Sequence, residues 1–333
     1  MLDDRKADIL RAVVQEYIQT GQPVGSQHVA RAGAVQVSPA TVRNEMSVLE
    51  REGFLVQPHT SAGRVPTDKG YRFFVDQLTG PGRLAPPQRQ LVRDFFNSAH
   101  GELEAMLHDT SQLLSRLTSY AAVVIGLPHE TACIRSVQIV GLAPRVALVV
   151  VVLSNGAVDK HTIELDDDLN DTHLAAAGAH LARQVSGRAL GALGSVAPTG
   201  DPRLDRVADQ VAAAFSGADA DDDEHVWVGG ASRMAAAFDA VETVRSVLAT
   251  LEQQYVVVTL LRNVLDRGLS VAIGTEHGVE PLAECAVVVA PYEMEGERTG
   301  TIGVLGPTRM NYPQALAAVA DVSERLGRRL SDG

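Results

Sequence analysis

The chain has 333 residues, 45% apolar and 21% charged, with a formal net charge of −12. That composition excludes a disordered chain and a basic coat for nucleic acid over the whole surface, and the length allows two or three domains with real cores. Only two cysteines, Cys133 and Cys285, are present, which excludes a disulfide scaffold and a cysteine-rich zinc site.

The opening MLDDRKADIL does not read as a signal peptide, and the longest apolar run, VALVVVVL, is too short to cross a bilayer, so a soluble cytoplasmic protein is expected. The charge is unevenly spread. Residues 1–77 hold 9 Lys+Arg and 9 Asp+Glu, while the rest hold 20 against 32 and so carry the whole −12. A neutral, locally basic head on an acidic body predicts two separate tasks.

In chain order, residues 3–20 read as a first helix, with Ile9, Val13 or Val14, Tyr17 and Ile18 at helical spacing and Gly21 as the stop. SQHVARAG predicts a short second helix, capped by Ser26 and stopped by Gly33. SPATVRNEMSVLEREG predicts a third, with Ser38 as N-cap, Pro39 at the first helical position and Gly53 just past the end. Val42, Met46 and Leu49 share its core face. FLVQP reads as a strand, and TDKGYRFFVDQL as a helix capped by Thr67.

Three short helices followed by a strand and loop make the helix-turn-helix plan with a wing. The wing is the tract QPHTSAGRVPTDKGYR, where Gly63 supplies the turn. Arg can pair with guanine and Asn with adenine in the major groove, while hydroxyls and cations suit phosphates. The candidate DNA-binding residues are therefore Ser38, Thr41, Arg43, Asn44 and Ser47 on the third helix, and His59, Thr60, Ser61, Arg64 and Lys69 in the wing. Arg64 is expected to point at DNA; Arg72 is a further cation, and Tyr71, Phe73 and Phe74 are expected in the core.

LTGPGRLAPPQRQ reads as a linker, which makes the spacing of heads a control point. Residues 94–122 read as one long amphipathic helix. IRSVQIV, VALVVVVL and VDKHTIEL form a three-strand meander, with Asn155-Gly156 as a hairpin signal. Residues 169–266 are mainly helical, with an acidic loop at 219–224 and a brief strand in HVWVGG. LSVAIG, CAVVVAPY and TGTIGVLG return to strands before a terminal helix.

No catalytic constellation, metal ligand set or cofactor site is expected. The acids at 166–168 and 219–224 read as solvated loops, and His173 and His180 share a helix face without a matching ligand. GALGSVAPTG has no lysine and is no phosphate loop. Arg309, in GVLGPTRMNY, reads as a structural tie for a turn.

YIQTGQPVGSQ, SPATVRNEMSVLEREGFLVQPHTSAGRVPTDKGYRFFVD and TGTIGVLGPTRMNYPQAL resemble, in that order, the motifs of the bacterial heat-inducible transcription repressor HrcA family. The resemblance implies an α+β protein: an N-terminal winged helix-turn-helix, then a GAF-like antiparallel-sheet domain carrying a mainly helical dimerising insertion. The expected division is 1–78 for the DNA-binding domain, 79–90 for the linker, 91–168 with 267–333 for the GAF-like domain, and 169–266 for the insertion. It also implies a homodimer that represses chaperone operons from an inverted-repeat operator of double-stranded DNA, supported by the chaperonin GroEL. Where the family usually reads Gly-x-Glu-Asn, this chain has GTEH, keeping Glu276 and placing His277 for Asn. The alternative reading is a winged-helix regulator gated by a metabolite in its GAF-like domain.

Overall fold

The computed structural model describes all residues except 1, 32–34, 36, 61, 79, 99–102, 127–132, 154–157, 168, 190–192, 194–195, 217–225, 236–237, 239–240, 267–269, 295–296 and 332–333. Gly33, Ser61, the Asn155-Gly156 turn, Asp168 and the acidic loop at 219–224 lie outside the described residues.

The head is built as the caps dictate. Helix α1 (Asp4–Thr20) starts where Asp3 accepts the Lys6 N–H at 2.9 Å, and ends at Gly21, whose φ of 65° lets its N–H reach back to the Tyr17 carbonyl. Helix α2 (Ser26–Arg31) begins at Ser26 itself, so that serine lies inside the first turn. Helix α3 (Pro39–Arg51) has Ser38 as N-cap, accepting from Thr41 N at 3.2 Å. Strands β1 (Leu55–Val56) and β2 (Val65–Pro66) pair antiparallel, and Val24 bridges to Arg64 beside them. Thr67 then caps α4 (Asp68–Asp76), accepting the Gly70 N–H. Ile9, Val13, Val42, Met46, Leu49 and Phe74 are buried together.

The body holds two sheets. The larger contains β3 (Ala121–Ile125), β7 (Val226–Gly229), β8 (Val271–Ile273), β9 (Cys285–Met294) and β10 (Glu297–Pro307), all antiparallel in the order β7-β3-β10-β9-β8. Its central strands are buried on both faces, and alternate residues serve two cores. Ala122, Val124, Ala286 and Val288 face the core shared by the head, α5 (Pro86–Ser98), α6 (Leu103–Thr118) and α12 (Tyr312–Ser331). Val123, Ile125, Val287 and Val289 face the core beneath α9 (Ala231–Ala235), α10 (Val241–Leu251) and α11 (Gln254–Asp266).

The smaller sheet is the expected meander: β4 (Ile134–Ala143), β5 (Val146–Leu153) and β6 (Val158–Glu164). Helices α7 (Asp171–Val185) and α8 (Pro202–Ser216) cover one face, where Val149, Val151, Ile163, Leu181 and Val211 form a third core. On the other face the register aligns Val140 with Leu148 and Thr162, and Val152 with Val158. Val140 is 47%, Leu142 58% and Val158 43% exposed.

Three expectations change. The single helix over 94–122 is two helices and a strand: α5 ends at Ser98, α6 ends at Thr118, and Ser119, at φ 65°, turns the chain into β3. The linker is shorter than 79–90, because Pro86 opens α5 at a position that tolerates proline, and Leu84 is buried in the shared core. The strands at 134–164 do not join the sheet of 271–307. They group with α7 and α8, whereas β7 and α9–α11 group with the large sheet, so the expected boundaries of 91–168, 169–266 and 267–333 cut across both cores.

Candidate nucleic-acid interface

Helix α3 separates its two faces cleanly. Val42, Met46 and Leu49 are buried, which turns Ser38, Arg43 and Asn44 outward and leaves Thr41 and Ser47 half-buried at the margin. The side chains of Arg43 and Asn44 have no hydrogen-bond partner among the described residues. Ser38 and Thr41 bond each other, Oγ to Oγ1, at 3.0 Å.

The wing tip is braced from below. Gln57 Nε2 donates to the carbonyls of Thr60 (3.1 Å) and Ala62 (2.9 Å), which holds the exposed His59 and Thr60 in a fixed turn. Gly63 fits because a Cβ there would stand 2.5 Å from the Val24 carbonyl group.

Arg64, expected to face DNA, is instead turned inward. Its Nε and Nη2 both donate to Glu50 Oε2, at 3.0 and 2.7 Å, and Nη2 also donates to Ser47 Oγ at 3.2 Å. Its backbone exchanges two 2.9 Å hydrogen bonds with Val24. The side chain is 14% exposed. It thereby joins the wing, the turn after α1 and helix α3 at one point. Ser47 is committed to the same tie, since its hydroxyl donates to the Arg43 carbonyl while accepting from Arg64.

Lys69 serves the helix end: Nζ donates to the Glu52 carbonyl at 2.8 Å and lies 4.3 Å from the Phe54 ring centre. These three partners lie on other elements, fourteen or more positions away, so spacing along the chain does not announce them.

Arg64→Ala should therefore weaken binding to every duplex without changing the salt dependence, and Glu50→Ala should weaken it too. A fall of about 0.9 in the slope of log K against log salt for Arg64→Ala, or tighter binding for Glu50→Ala, would place the guanidinium on a phosphate.

Helix α4 docks the head on the body. Arg72 Nε donates to Glu276 Oε1 at 2.9 Å, Nη2 reaches Glu276 Oε2, and Nη2 also donates to the Val271 carbonyl at 2.8 Å. Asp68 accepts the Thr275 N–H, and Tyr71 packs on Tyr312 with ring centres 6.0 Å apart. Arg309 stands beside the end of α1, its Nη1 3.4 Å from where a Cβ of Gly21 would sit.

Electrostatics follows this burial. Burial raises the Asp68 carboxyl above its usual range, against the Thr275 hydrogen bond, and the Glu276 charge raises it further. Burial also raises Glu276, but hydrogen bonds from Arg72 and the Ile273 N–H outweigh it and the net shift is downward.

Residues 1–79 match the model of the winged helix-turn-helix transcription repressor HrcA DNA-binding domain, and residues 104–316 match that of the HrcA protein C-terminal domain. The chain belongs to the HrcA family. It is 36% identical over 339 residues to the heat-inducible transcription repressor HrcA of Streptomyces avermitilis, and 38% identical over 339 residues to that of Acidothermus cellulolyticus; each alignment covers 100% of both chains. A crystal structure of a hypothetical protein at 2.2 Å resolution shares the fold, with a TM-score of 0.67 and 22% identity, covering 100% of this chain and 99% of that one. HrcA proteins are heat-inducible transcription repressors with a DNA-binding winged helix, and no helix among the described residues here is long and apolar enough to cross a membrane.

The loop Gly274–His277 is the receiver for α4. Glu276 holds Arg72, and Gly274 has φ +55°, where a Cβ would stand 2.1 Å from Asp68 Oδ2. His277 is 2% exposed; its Nδ1 accepts from Val279 N at 3.2 Å, so Nε2 carries the proton and donates to the Leu282 carbonyl at 3.0 Å.

Burial holds its pKa below the ordinary 6.5 of a histidine, so the neutral ring is favoured in the fold and stability is lost as the pH falls below 6.5 toward the folded value. Glu276 contributes its loss only below 4.5, and Asp68, raised above 3.8, acts in the opposite sense as the pH falls through its folded pKa. His277→Asn should flatten the decline of Tm just below pH 6.5; an unchanged Tm–pH curve would show that this ring does not set it.

Proposed function

We propose that the chain is a cytoplasmic, homodimeric repressor of chaperone operons that binds an inverted-repeat operator and is supported by the chaperonin. The observation that carries this reading is the outward pair Arg43 and Asn44 on α3, whose other face is core. Those side-chain types can read base edges in the major groove. The wing tip at His59 and Thr60 supplies further contacts, and Ser38 and Thr41 sit at the N-terminus of α3, where hydroxyls and backbone N–H groups suit phosphate.

The dimer reading is supported by the uncovered apolar face of β4–β6, with Val140, Leu142 and Val158 exposed. We assign the inserted unit to 133–216, because β3 and β7, on either side of it, are paired neighbours. The metabolite-gated reading has less support: the gap between α11 and the large sheet is lined by aliphatic side chains such as Leu261, Leu282 and Val287.

Mobility shift with full-length protein tests the proposal. An inverted repeat selected from random duplex is expected to bind far more tightly than shuffled DNA, and added chaperonin to raise the bound fraction. Equal affinity for both duplexes would overturn repression at a specific operator.

A further inference from the structure

We propose that Arg72 and Glu276 are positioning residues for operator spacing: their ion pair fixes the head on the body, so that a dimer presents its two α3 helices at one separation. This rests on the dimeric reading above and adds to it what sets the distance between heads.

The dock has several independent parts. The guanidinium meets the Glu276 carboxylate with two nitrogens, a planar arrangement that fixes angle as well as distance. The same guanidinium bonds the Val271 carbonyl at the start of β8, so the head is tied to the sheet itself. The pair is sheltered, with Arg72 23% and Glu276 31% exposed. One helical turn away from Arg72, Asp68 sits over Gly274, at a position whose φ and clearance both require glycine. Between them Tyr71 is buried on Tyr312.

Asp68, Tyr71 and Arg72, expected at the end of the wing tract, belong to α4 instead, beyond the β1–β2 pair, and none of these residues lies on α3, so their effect on DNA must pass through the orientation of the head. The segment between α4 and α5 agrees, since Leu84 is buried in the shared core and a Cβ on Gly82 would touch the Pro313 carbonyl at 3.4 Å. The head is not a ball on a string.

A stiff connection and a loose one differ in a measurable way. When two binding modules are linked rigidly, the effective concentration of the second is high at the matching span and falls away from it; a flexible link gives a lower, broader profile. Each added base pair moves a half-site by about 3.4 Å and turns it by about a tenth of a helical turn. Spacing preference therefore reads the stiffness of the dock directly.

The test uses full-length protein and one DNA half-site, taken from duplexes that the wild type selects out of a random library. Affinity is measured for that half-site alone and for inverted repeats whose spacer grows one base pair at a time through one turn, about 10 bp. Wild type is expected to prefer one spacing by about 10-fold or more over a spacer half a turn away. Arg72→Ala and Glu276→Ala should flatten the preference to about 2–3-fold and lower the best affinity about 10-fold, with the isolated half-site bound as before. Glu276→Gln, which keeps the shape and removes the charge, should flatten it in the same way.

A sharp profile retained in all three variants would overturn the proposal. So would an equal loss on the isolated half-site, which would mean that the pair only stabilises the head. Wild type that binds no inverted repeat more tightly than the half-site would overturn the dimeric reading and the proposal with it, a result separable from the other two.

Discussion

On the proposed dimer, replacing Val140 and Val158 together by Lys is expected to leave monomers and to lower the affinity for an inverted repeat by about 10²–10⁴-fold. Both residues are close to half exposed already, so the folded subunit loses little when they change. They stand on the face of the β4–β6 sheet that α7 and α8 leave bare, in the same rows as Leu148 and Val152. Added ammonium groups there, beside the existing Lys160, would have to be desolvated and would repel their symmetry mates in a two-fold contact. Sedimentation should show half the mass, and an isolated half-site should bind as before. A protein that stays dimeric would move the contact elsewhere.

The second large effect concerns base choice. Arg43→Ala with Asn44→Ala should remove about 2–6 kcal/mol of discrimination between operator and random duplex, at about 1–3 kcal/mol for each bidentate base contact. Binding to random DNA should fall far less, since that affinity comes from phosphates. The two residues suit this test because α3 keeps its core face when they are shortened: Val42, Met46 and Leu49 are on the opposite side. Competition assays with operator and shuffled duplex measure the ratio. A uniform loss on both would place Arg43 and Asn44 on the backbone of the DNA.

Much of the head was legible because its signals are local. Ser38, Thr67 and Gly21 cap the helices they were expected to cap, and each acts within four residues. The meander was legible from alternation and turns. What escaped was tertiary. Arg64 reads as a wing cation until Glu50, fourteen residues earlier, is seen to neutralise it. Arg72 reads the same way, and its partner Glu276 is 204 positions distant. Strand β3 was hidden because its run of small and branched residues follows α6 across a turn made by Ser119, not by a glycine or proline.

The two valine-rich runs show a different limit. VALVVVVL and CAVVVAPY look alike, yet β9 is buried on both faces while β5 is covered on one. Composition announces apolar surface without saying whether the same chain covers it.

Ile125 and Val226 are directly paired across β3 and β7. The chain therefore leaves the large sheet and returns to it at the same rung of one ladder, with a complete third core in between. Loop closure grows only by about 0.6 kcal/mol for each doubling of the loop, so the sheet is nearly indifferent to what is carried there. In evolutionary terms this is a port: a module can be lengthened, exchanged or reduced to a hairpin while the strands that hold the winged helix keep their order.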